Sequence, residues 1–109
     1  MITLKSQPTR KDEQDRCTAV TDAQRAAEVA AGIARNSATW SMRSEVAEDD
    51  AAEAIRAAMR ARQAAERAEH ATSYVDAMVE ARSAWAAAAS AAEADARVVA
   101  AIVEGLIAA

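Results

Sequence analysis

A chain of 109 residues with 34 alanines, two glycines and one proline has the length of a single domain and almost nothing to interrupt a helix. Its formal net charge of −4 disfavours nucleic acid as a partner for the molecule as a whole, and a lone Cys17 excludes an intrachain disulfide. Alanine loses no side-chain entropy in a helix and has the highest helix propensity, so the expected fold class is all-α and alanine-rich.

Residues 1–8 read as a short N-terminal arm ending at Pro8, ahead of a single helical domain over 9–109. Thr9 with Asp12 three residues on resembles a capping box and starts a first helix that reaches about Arg35. Its expected inner face carries Val20, Ala23, Ala27, Ala30, Ala31 and Ala34, flanked by Val29 and Ile33. Thr18 and Thr21 allow a break in its middle. The run from Asn36 to Ser41, which includes Trp40, is the best interior loop in the chain and makes Trp40 a candidate exposed anchor.

A second helix is predicted from Ser41 or Ser44 to Glu69, with Ser44 as cap because Glu45, Glu48, Asp49 and Asp50 load its first turns with acid. Ala47, Ala51, Ala54, Ile55, Ala58, Met59, Ala65 and Ala68 are its expected inner side. The next break falls at His70 to Ser73, where Ser73 and Asp76 have capping-box spacing. A third helix follows, with Tyr74, Val75, Met78, Val79, Trp85, Ala86 and Ala89 as its periodic apolar side. Ser90 and Glu93 can cap a fourth helix, or the third can continue. Val98, Val99, Ile102, Val103, Leu106 and Ile107 then form the strongest apolar stripe of the chain. The expected architecture is a three- or four-helix antiparallel bundle, or a long helical hairpin.

No catalytic set emerges. His70 is the sole histidine, and Glu66 one turn earlier gives two metal ligands where zinc takes three or four, so no metal site is expected. Cys17 has no histidine on its own element and reads as a buried or idle thiol. Two isolated glycines build no phosphate loop, and no cofactor is implied. The most apolar stretch, from Val98 to the end, is about half the roughly 20 residues that a membrane span needs. With no apolar signal segment at the N-terminus, the expectation is a soluble, cytoplasmic protein and not an enzyme.

What remains is binding. Glu45, Asp49 and Glu53, with Glu48 and Asp50 beside them, fall on one helical stripe that continues as Arg56, Arg60 and Arg67. This polarised face and Trp40 are the candidate partner-binding residues. The expected function is protein–protein binding, as in a bacterial or phage inhibitor, immunity or anti-defence factor. The alternative is a homo-oligomeric scaffold, a homodimer in its simplest form, held by Val99, Ile102, Val103 and Leu106. A DNA-binding regulator or antitoxin using Arg56, Arg60, Arg62 and Arg67 ranks below both, because acid lies directly upstream.

Overall fold

The computed structural model describes residues 9–108, with side chains up to Leu106, and the expected arm at 1–8 lies outside them. The fold is all-α: α1 (Arg10–Ser44), α2 (Glu48–His70) and α3 (Tyr74–Ala108), each packed against the other two as a three-helix bundle. Thr9 caps α1 through the predicted capping box: its hydroxyl accepts the Asp12 amide at 3.1 Å and its own amide donates to Asp12 Oδ2 at 3.2 Å. Ser73 caps α3, its hydroxyl accepting the Asp76 amide at 3.1 Å.

Register follows from the bonds that cross between helices. Ser37 on α1 meets Asp95 on α3, and Ala23 and Ala26 cluster with Ala81 and Ala84, so α1 and α3 ascend together. Arg67 meets Glu80 while Asp50 meets Arg97, so α2 descends between them. With that register the first turns of α1 project past the turn before α3, and α3 beyond about Ile102 projects past the end of α1. A Cβ built at Gly105 meets nothing within 4 Å, as such a projection requires.

The core is nearly pure alanine. Among the described residues the buried apolar positions are 19 alanines and Val98. On α1 the buried positions are Ala19, Ala23, Ala26, Ala30, Ala34, Ser37 and Ser41, spaced by steps of three or four. On α3 they include Ala77, Ala81, Ala84, Ala88, Ala91, Ala94 and Val98. Seams of methyl groups let helix axes approach the short end of the roughly 8–10 Å range, which leaves little room for larger side chains. The large residues are consequently outside: Val29, Met42, Ile55, Met59, Val75, Val79 and Trp85 are all exposed.

This corrects several expectations. The segment from Asn36 to Ser41 is not a loop but the continuation of α1, because its small residues fall on the alanine seam. Ser37 and Ser41 are buried there, their hydroxyls donating to Asp95 Oδ1 and to the Val46 carbonyl, each at 2.5 Å. No break occurs at residues 18–21, since Thr18 and Thr21 donate to the carbonyls of Gln14 and Cys17 within the helix. Ser44 ends α1 and does not cap α2. The connection is Glu45 to Ala47, with Glu45 (φ 55°) and Ala47 (φ 57°) both left-handed, and Ala47 caps α2 with no side-chain bond. Ser90 starts no fourth helix; it donates to the Ala86 carbonyl at 3.2 Å and α3 runs on. The predicted inner side of α3 is inverted, with Val75, Val79, Ala86 and Ala89 exposed and only Tyr74 and Met78 half-buried. On α1 Val29 is exposed and Ala27, Ala31 and Ile33 are half-buried; on α2 Ile55 and Met59 are exposed.

Candidate partner-binding surfaces

The acidic stripe does not exist as a helical face. Glu45 stands in the turn, left-handed, so it cannot continue the line of Asp49 and Glu53. Glu48 and Asp49 lie exposed in the first turn of α2, where acid complements the helix dipole. Glu53 lies between two arginines: Arg56 donates to Oε2 at 2.9 and 3.1 Å, and Arg60 to Oε1 at 3.2 Å. Acid and base therefore meet at Glu53 and do not separate into two ends of a polarised face. The remaining arginines of α2 are also engaged, Arg62 with Glu66 at 3.4 Å and Arg67 with Glu80 across to α3.

The hydrogen bond from Arg56, and then that from Arg60, hold the Glu53 carboxyl below the usual glutamate value of 4.5. A carboxylate favoured in the folded state contributes stability above its unfolded pKa and loses it as pH falls through the folded value. In urea titrations, the difference in midpoint between the wild-type chain and Glu53→Gln is therefore expected to shrink as pH drops below about 4.5. A difference that stays constant across that range would mean the Arg56 and Arg60 contacts carry no weight in solution.

Trp40 is on α1, not in a loop, and is half-exposed, with the Arg43 guanidinium 5.8 Å from its ring centre. Trp85, expected in the core, is 37% exposed at the edge of a groove between α1 and α3. That groove encloses about 690 Å³ and is lined on one wall by Cys17, Thr18 and Asp22 and on the other by Tyr74, Met78 and Trp85. Cys17 is exposed there and not buried. A second groove of about 510 Å³ runs between α1 and α2 past Ala31, Arg35, Ile55 and Met59. Sequence reasoning missed both grooves. The signal was the coexistence, on each helix, of an alanine period and a period of large residues, which cannot both face inward.

The C-terminal stripe divides in two. Val98 is fully buried and Ile102 half-buried, while Val99 and Val103 are each 46% exposed and Leu106 is 74% exposed; the side chain of Ile107 lies outside the described residues. His70 is exposed, its Nδ1 2.8 Å from the Glu66 carbonyl one turn back. Among the described residues no three His, Cys, Asp or Glu side chains gather as a metal site, and no helix is long and apolar enough to cross a membrane. Comparison of the chain with protein-family models, with curated proteins and with solved structures gives no match.

Proposed function

We propose that this chain is a non-enzymatic helical protein that acts by binding another protein, with the groove between α1 and α3 as its principal contact surface. The observation that carries this reading is the inversion of the bundle: methyl groups fill the core while Tyr74, Met78 and Trp85 line a groove open to solvent. Aromatic and methionine side chains at the rim of a rigid groove are the anchors that helix-in-groove recognition uses. Asp15, Asp22, Arg25 and Arg82 around it supply both signs of charge for register. A partner so occluded fits the role of a small inhibitor, immunity or anti-defence factor of a bacterium or phage.

The test uses the tagged full-length chain in cells of its source, comparing wild type with the double variant Met78→Glu, Trp85→Glu. A protein retained by wild type and reduced at least tenfold by the variant, with helicity unchanged, is the expected result. Equal recovery by both would remove the groove from the reading. The homo-oligomeric alternative is favoured by one observation of its own, the exposed half of the C-terminal stripe at Val99, Val103 and Leu106. The DNA-binding alternative loses support because Arg56, Arg60, Arg62 and Arg67 are each paired with a carboxylate.

A further inference from the structure

The outward face of α3 differs from the rest of the surface. α3 carries seven charged residues in 35 positions, against ten in the 23 of α2. Three of the seven are turned to the other helices: Glu80 to Arg67, Asp95 to Ser37 and Arg97 to Asp50. At about 100° per residue, Val75, Val79, Arg82, Ala86, Ala89, Glu93, Ala96 and Ala100 fall within one strip of α3. Every one of these residues is exposed. Arg82 and Glu93 lie in the strip with no ion pair to another described residue, while the third charge at that angle, Arg97, is turned to Asp50 at the strip's edge.

The order of this strip is symmetric about a point between Ala87 and Ala88. Arg82 and Glu93 are equidistant from that point and opposite in charge. Val79 and Ala96 are equidistant and opposite in size, as are Val75 and Ala100, while Ala86 and Ala89 flank the centre. We infer that α3 pairs antiparallel with α3 of a second copy of this chain about a two-fold axis between Ala87 and Ala88. Such an axis sets Arg82 against Glu93 of the partner subunit and repeats the pair on the other side, as an isologous interface must. Each valine meets an alanine, and the central alanines let the two helices approach closely. The overlap from Val75 to Ala100 runs for about 38 Å at 1.5 Å per residue. This inference deepens the homo-oligomeric alternative and moves its contact from the C-terminal stripe to the middle of α3. It shares Arg82 with the rim of the groove that holds Trp85, while Glu93 lies outside that groove.

Light scattering coupled to size exclusion tests it on the full chain. Wild type is expected at twice the 11.4 kDa chain mass at tens of micromolar. Arg82→Glu alone sets glutamate against glutamate twice, and Glu93→Arg alone sets arginine against arginine twice. Each is expected to weaken the dimer at least tenfold while helicity is unchanged, since both side chains are exposed. An equimolar mixture of the two variants restores both pairs and is expected to give a heterodimer within about threefold of wild-type affinity. A monomeric wild type at 100 µM overturns the proposal. So does a dimer that both single variants leave intact, or a mixture that stays monomeric when its components do. Arg82 borders the groove but Glu93 lies outside it, so Glu93→Arg distinguishes failure here from failure of the groove.

Discussion

Ala57→Leu is expected to destabilise the chain by about 2–3 kcal/mol, at the upper end of ordinary overpacking costs. Ala57 has no solvent exposure and sits in the central cluster with Ala30, Ala61, Ala87, Ala88 and Ala91. The buried members of that cluster are all alanines and the one large side chain packed against it is Ile33, so little can yield to the added isobutyl group and the helices must separate. Separation breaks dispersion contacts along the whole seam, because the packing that stabilises one alanine cluster is the spacing that stabilises the next. In a domain of this size the cost corresponds to a fall in Tm of roughly 10–20 °C. Ala92→Leu, at an exposed position of α3, is expected to stay within about 0.5 kcal/mol of wild type. Thermal melts by circular dichroism on the two variants decide the matter. An Ala57→Leu chain as stable as the wild type would show that the seam has room for larger groups and that the close approach of the helices is not what sets their faces.

The all-α class, the capping box at Thr9 and the Ser73 cap were legible because each rests on local chemistry: propensity, and a hydroxyl three residues from an acid. Faces were not legible, for a physical reason. Alanine is both the best helix former and a residue equally at home inside and outside, so 34 of them leave the hydrophobic period to be read from the few large side chains. On α3 that reading chose Val75 and Val79, which are exposed, over Ala77, Ala81 and Ala84, which are buried. The same ambiguity turned Ser37 and Ser41 into loop residues, although a serine little larger than alanine fits an alanine seam once its hydroxyl finds an acceptor. The turn at Glu45 to Ala47 carries none of the Gly, Asn or Pro that mark such places, since its two left-handed positions are filled by glutamate and alanine. An acidic stripe drawn through that turn was bound to fail. Trp40 and Trp85 stand out in a chain with three aromatics, but their positions depended on faces that the sequence does not resolve.

Val98→Asp and Val99→Asp, adjacent in sequence, are expected to behave as a buried and a surface substitution. Val98 has no exposure and is, with Ser37, among the largest fully buried side chains of the described bundle. A carboxylate there loses its water and gains no partner, a situation that costs about 3–5 kcal/mol when a charge is left uncompensated. Val99 keeps nearly half its surface in solvent, and aspartate there should cost no more than about 1 kcal/mol. The contrast should appear in urea midpoints, with Val98→Asp largely unfolded under conditions where Val99→Asp retains full helicity. Its consequence for function lies in where α3 stops being structural. Among the described residues the one large core side chain is Val98, about one turn before the register carries α3 past the end of α1. Val99, Val103 and Leu106 keep much of their surface in solvent, where a partner can cover it. Equal unfolding by both variants would mean that the end of α3 is held within the chain, and the C-terminal stripe would then be core and no part of any binding surface.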